Sequence, residues 1–364
     1  MPVQKSQTRM VYAMTNAAEN NQIIAFRRSS NGTLNQVNVY ATGGSGTGTR
    51  EVSAATPDDG IDPLASQGSL VLSPDGSMLF AVNAGSGSIS SFRVASNGAL
   101  TLADVQLSGG AQPNSIAVSG DLLYVTNVGN ADNSFNSNVT GFRVQSNGKI
   151  RQIPYSTHSL STANAQPACV VFSLNGRLLF VSELTTSRIS AFRINTNGTL
   201  TGPIINSSSG PAPFGIFMLS GARMLVAEAS GALSSYAIAM DGTLAVLSGS
   251  IPSTQEATCW VVATPNERYA YTSNTGSGTV TSYRINSDGT VALARAVAGT
   301  QEGPASGPID LGVSGNGSNL YVLNGGLGSV TVYRIESDGQ LVKLQTAADQ
   351  GLPNLGTQGL AVRL

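Results

Sequence analysis

The chain has 364 residues, with 19 lysines and arginines against 20 aspartates and glutamates, a formal net charge of −1. Charged residues make up 11% of it, against roughly 25% in an average soluble domain. That balance supplies no basic stripe for nucleic acid, two cysteines make no disulfide framework or Cys-ligated zinc site, and no run of about 18 apolar residues spans a membrane.

In chain order, the first recognisable element is a strand, RMVYAMTN (9–16), followed by AFRRSSNG (25–32). The second of these recurs as SFRVASNG (91–98), GFRVQSNG (141–148), AFRINTNG (191–198), SYAIAMDG (235–242), SYRINSDG (282–289) and VYRIESDG (332–339). The closing glycines, Gly32 to Gly339, are spaced 66, 50, 50, 44, 47 and 50 residues apart. An alternating strand that ends in Asn-Gly or Asp-Gly predicts a hairpin, because that turn needs positive φ. In the second unit the strands are SLVLS (69–73), MLFAVN (78–83), SISSFRV (88–94) and ALTLADVQL (99–107). Four short strands per 40–50 residues is the pattern of a propeller blade.

The repeat therefore predicts an all-β protein: one seven-bladed β-propeller domain over 1–364, with four antiparallel strands per blade. Its first unit lacks a first strand, and TQGLAVRL (357–364) matches one, so the C-terminal strand is expected to complete the N-terminal blade and close the ring. Two segments exceed the repeat, GGSGTGTREVSAATPDDGIDPLAS (43–66) and VGNADNSFNSN (128–138), and inserts of this kind tend to sit on a binding face. Arg27, Arg93, Arg143, Arg193, Arg284 and Arg334 each follow the repeat aromatic, a spacing that reads as architecture, with the aromatic between blades and the arginine on the opposite side. Cys169 and Cys259 fall in first strands of the non-adjacent fourth and sixth blades and are expected to be unpaired.

Function is expected at one mouth of the central channel. The residue ending each second strand is Asn16, Asn83, Asn127, Glu183, Glu228, Asn274 or Asn324. Asn at such a turn caps its own backbone. Glu183 and Glu228 break the repeat in adjacent blades. Facing one channel, they would serve as an acid/base pair, hold a hard cation such as Ca²⁺, or stand as solvated loop carboxylates. The mouth also collects Glu51, Asp58, Asp59, Asp62, Asp132, Glu256, Glu302, Asp310 and Asp349 against Arg50, Arg188 and His158, a field that repels anions. His158, the single histidine, is either a proton carrier there or a solvated loop residue. Trp260 is expected to pack between blades or to stack on a ligand.

The unit VLSPDGSMLFAVNAGSGSISSFRVASNGAL resembles, along essentially the whole chain, the lactonase-family seven-bladed propellers, among them bacterial-type 6-phosphogluconolactonases and fungal carboxymuconate cyclases. That family commonly opens a middle blade with an HPH-like segment and follows it with an Asp-Leu-Gly-x-Asp-Arg-like loop. Here the matching positions are Gln166-Pro167-Ala168 and Glu183-Leu184-Thr185-Thr186-Ser187-Arg188, and the next blade opens with Pro213-Phe214-Gly215 in place of a Pro-Arg-His-like segment.

The resemblance implies a lactone hydrolase or a ring-closing enzyme, with Glu183, Glu228 or His158 moving the proton and Arg188 steadying an oxyanion. Asn83, Asn127, Gln166, Phe214, Trp260, Asn274, Asp310 and Asn324 would contact the substrate. The missing histidines and the acidic mouth point away from a phosphorylated lactone. The other reading is a non-catalytic propeller that binds a small molecule or a protein at that mouth. The expected protein is a cytoplasmic monomer without a resident cofactor or metal, although calcium at the channel stays open as an alternative. The opening MPVQKSQTRMVYAM, which lacks the apolar core of a signal peptide, underlies the expected compartment.

Overall fold

A computed structural model describes residues 8–363, so Leu364 of the closing segment and Met1–Gln7 lie outside the described residues. Seven antiparallel sheets of four main strands form a ring, and each runs outward from an innermost strand. In the first blade that strand is Leu360–Val362, paired with Met10–Met14 in the register Val11↔Val362, Tyr12↔Ala361, Ala13↔Leu360. The C-terminal strand therefore closes the ring as expected. The third blade departs from the pattern, because its outer edge is split into Ile150–Gln152 and His158–Ser159. No helix of the described residues is long and apolar enough to cross a membrane.

Each third-to-fourth strand hairpin ends on a glycine at positive φ, +84° at Gly98 and +87° at Gly148, where a Cβ would be strained. The preceding blade captures that glycine's carbonyl in six of the seven junctions. The donors are Tyr12 to Gly98 (2.7 Å), Ser91 to Gly148 (2.7 Å), Tyr124 to Gly198, Asn206 to Gly242 (3.1 Å), Tyr271 to Gly339 (3.2 Å) and Tyr321 to Gly32 (2.9 Å). The repeat aromatics Phe26, Phe92, Phe142, Phe192, Tyr236, Tyr283 and Tyr333 are buried. The arginines after them are exposed or half-buried. One side chain packs the sheets while its neighbour faces out, as strand alternation requires.

Asp310 adds a pin to the closure. A bulge between Ile309 and Leu311 holds it at φ +44°, and its carboxylate accepts the Leu360 N–H at 2.7 Å. Removing residues 357–364 takes away that pairing and exposes the edge of Met10–Met14. The truncated protein is expected to melt many degrees lower or to aggregate in a thermal scan with light scattering, and an unchanged monomeric melt would contradict closure by this strand.

Candidate functional site

The ring of residues that end the second strands is fully buried. Asn16 ties the insert, donating to Thr47 Oγ1 and Gly48 O and accepting from Thr47 N, whereas the others tie their own hairpins. Asn83 donates to Ser88 Oγ and Ser90 Oγ, Asn274 to Thr279 Oγ1 and Thr281 Oγ1, and Asn324 to Ser329 Oγ and Thr331 Oγ1. Asn127 donates to Asn138 Oδ1 at 2.8 Å and accepts from Ser108 Oγ at 2.6 Å.

The two glutamates occupy the same kind of cage, built from hydroxyls. Glu183 accepts from Ser190 Oγ (2.5 Å), Thr186 Oγ1 (2.8 Å), Ser161 N (3.1 Å) and Ser161 Oγ. Glu228 accepts from Ser234 Oγ (2.5 Å), Ser250 Oγ (2.7 Å) and Gly210 N (3.0 Å). The expected pairing of Glu183 with Glu228 is therefore corrected: each carboxylate is spent on its own blade, they share no partner, and neither is open to a substrate. Among the described residues no group of three or more His, Cys, Asp or Glu could hold a metal ion.

The expected mouth is covered by the chain's own insert. Val52–Gln67 crosses the ring and reaches the other blades in turn. Ser53 Oγ donates to Gln166 Oε1 (2.6 Å), Asn114 Nδ2 to Leu64 O (3.3 Å), Ser66 Oγ to Asn114 O (2.7 Å) and Trp260 Nε1 to Ser66 O (3.1 Å). Gln67 lies at the hub: its N–H donates to Ala168 O (2.9 Å) and its amide to Ile216 O (3.2 Å), and its Oε1 accepts from Val261 N (3.0 Å). A Cβ on Gly215 would meet that amide, which explains the glycine. Trp260 is fully buried, with its ring centroid 4.7 Å from that of Phe214. Gln166, Phe214 and Trp260 thus hold the plug and offer no free face. Stacking of Trp260 on a ligand is corrected to packing.

His158 is not at the mouth either. It belongs to the outer edge of the third blade, opposite Val139, with its ring 6.1 Å from that of Phe192, and burial pushes its pKa down. Arg188 starts the third strand of the fourth blade, half-buried and in register with Glu183.

Asp310, another of the expected site residues, lines open space beside the axial Gln67. On the face away from the plug, a cavity of about 360 Å³ lies between the innermost strands of the seventh, first and second blades. Gln67 and Asp310 line it together with Val71, Leu360, the Ser73–Gly76 turn and Arg363. Asp310 is 4% exposed, and burial pushes its carboxyl up to about 7, partly offset by the N–H groups of Leu360 and Leu311. Arg363 is 2% exposed, donates to Ala95 O at 2.9 Å, and leaves Nε without a partner among the described residues. A buried weak acid with a pKa near neutrality at the wall of a cavity is an arrangement suited to proton transfer, while the Arg363 side chain runs between the first and second blades toward Tyr12 and Ala95. Gln67 and Arg363 were not singled out from the sequence. The signal for the axial glutamines was the Gln-Gly pair that recurs in SQGSL (66–70) and TQGL (357–360).

A ring of seven four-stranded blades around a plugged axis defines the class as a seven-bladed propeller. The profile of the family described as "Lactonase, 7-bladed beta-propeller" matches residues 47–153 and 220–311, and the chain belongs to that family. Among solved structures, the Pseudomonas aeruginosa periplasmic gluconolactonase shares 18% identity at a TM-score of 0.74, covering 99% of each chain. A Bacteroides fragilis protein, provisionally named a 6-phosphogluconolactonase, shares 16% at a TM-score of 0.71 and covers 100% of each chain. A Lactobacillus plantarum protein shares 16% at 0.73, covering 98% of this chain and 100% of its own. No curated protein matches in sequence.

Two outcomes follow from these cages and carboxyls. Glu183→Asn shortens a charged acceptor that holds four donors, so it is expected to cost about 1–3 kcal/mol in denaturant melts, more than a surface change would. Asp310 stays neutral up to about pH 7 when folded and ionises near 4 when unfolded. Its contribution is therefore complete below about pH 4 and is lost as pH rises through 7. Glu51, pushed up to about 8 by burial and by Asp59, acts in the same direction. The melting temperature is expected to fall from pH 5 to pH 8, with a shallower fall in Asp310→Asn.

Proposed function

We propose that the protein is a lactone hydrolase that works in the axial cavity, with Asp310 as the general base. The observation that carries this reading is the position of Asp310: a carboxyl with pKa about 7, on the axis, at the wall of a cavity large enough for a small ring. Family membership supplies the reaction class. Ionised Asp310 accepts a proton from a water as that water's oxygen bonds to the lactone carbonyl carbon. The tetrahedral oxyanion forms within the cavity that Asp310, Gln67 and Arg363 line. The ring C–O bond then breaks, and the departing alkoxide takes the proton back from Asp310, which leaves a hydroxy acid and the ionised carboxylate. The reverse sequence closes the ring.

This reading moves the chemistry from Glu183, Glu228 and His158 to Asp310. The substrate is a small molecule held by one copy of the chain. The acidic field expected to repel anions belongs to the plugged face, so it does not decide the charge of what enters from the other side. A panel of aliphatic and sugar lactones followed by pH-stat titration tests the proposal. The rate on an accepted lactone is expected to rise with pH to a plateau above about 7, and Asp310→Asn to lower it by roughly 10²–10⁴. A rate on that lactone unchanged in Asp310→Asn would leave Asp310 as a closure pin alone. Binding of a lactone without turnover would favour the non-catalytic propeller.

A further inference from the structure

The plug carries a feature that the proposed reaction does not use. Asp62 lies in it, 9% exposed, within hydrogen-bonding reach of the fully buried Gln358, which precedes the closing strand. One oxygen of each, Asp62 Oδ1 and Gln358 Oε1, has no donor among the described residues. Buried acceptors left bare on two side chains that reach each other are costly, and a proton on the carboxyl, shared with the Gln358 oxygen, would remove both deficits. The surroundings favour that proton. The charged and titratable groups that face Asp62 are Glu51 of the insert, Asp310 of the seventh blade and Cys259 of the sixth. Asp58 and Asp59 crowd Glu51 from the same insert. All ion pairs among the described residues lie elsewhere, so no cation neutralises the group. Burial and Glu51 push the Asp62 carboxyl well above its ordinary range, while the amide of Gln358 and the Ala65 N–H oppose them.

We propose that Val52–Leu64 is a proton-locked gate: neutral Asp62 donates its O–H to Gln358 Oε1 and keeps the plug seated, and loss of that proton to solvent releases it and uncovers the channel end around Cys259. The gate does not depend on what the axial cavity binds or converts. Ionised Asp62 would face Glu51 of the insert and Asp310 of the seventh blade with no counter-charge, and Gln358 Oε1 would lose its donor.

Cys259, 6% exposed and next to Asp62, reports on the gate, and Cys169, 1% exposed in another packing cluster, is the control within the same molecule. The full chain is treated with iodoacetamide at pH 6 and pH 9, and alkylation at the two cysteines is compared by peptide mapping. In the native protein the Cys259 to Cys169 ratio is expected to rise on the order of tenfold, well beyond what shared thiol ionisation gives. In Asp62→Asn, which stays neutral, the ratio is expected to remain flat, and Gln358→Leu, which removes the acceptor, should react quickly at Cys259 already at pH 6. A flat ratio in the native protein, or an equal rise in Asp62→Asn, overturns the gate. Should Asp62→Asn fail to fold, slow alkylation of Cys259 in Gln358→Leu at pH 6 overturns it instead.

Discussion

The ring rests on one repeated hydrogen bond, the capture of a hairpin glycine's carbonyl by the blade before it. The turn must pass through positive φ, so the residue is glycine, and the bare backbone lets a neighbouring donor come close. In four junctions the donor is a tyrosine of a second strand, whose ring is buried between sheets while its hydroxyl reaches the carbonyl. The same side chain thus supplies apolar area and direction. Serine or asparagine does the second task in two others, at Ser91 and Asn206. Interblade angle follows from these contacts, and the position of the axis follows from the angles.

Repetition made the architecture readable before any coordinates. Seven Asn-Gly, Asp-Gly and related turns fixed the blade count, and the unpaired strand at the start required a partner at the end. The functional centre was less legible because it is built from departures. Glu183 and Glu228 break the repeat, yet serine and threonine hydroxyls close around them as they close around asparagine, so a change of charge did not mean a change of role. Strand periodicity could not show which way such a side chain turns. His158 was misplaced because the outer edge of the third blade is interrupted, a local irregularity that a repeat hides. Asp310 stood out as one acid among eleven and as an expected substrate contact, not as the proton carrier. The bulge that holds it recurs in the first strands of the third to sixth blades, at Asn114, Ala168, Phe214–Gly215 and Cys259, so its distinction is an acid at that bulge.

The insert changes what each face of the disc can do. The end that gathers most of the carboxylates is filled by Val52–Gln67, and the open cavity lies behind, bounded by Gln67 itself. Electrostatics inferred from the loops therefore described the wrong entrance. Low charge density elsewhere makes the buried acids matter more. Burial pushes the carboxyls of Glu51, Asp62 and Asp310 above their ordinary range, and Asp62 feels the charge of the other two.

Gln67 also acts as a gauge. From the second blade it reaches backbone groups of the fourth, fifth and sixth at ordinary hydrogen-bond lengths, while Ser66 meets the third and sixth. One amide spans that gap only at a single ring diameter. A circle with six blades would crowd it, and one with eight would leave it reaching across empty space. Repeat proteins drift in copy number because a unit can be duplicated or dropped without offending its neighbours. In this chain a non-repeated residue measures the whole circle, so a gain or loss of one blade would be registered at the axis as well as at the junction where it occurred.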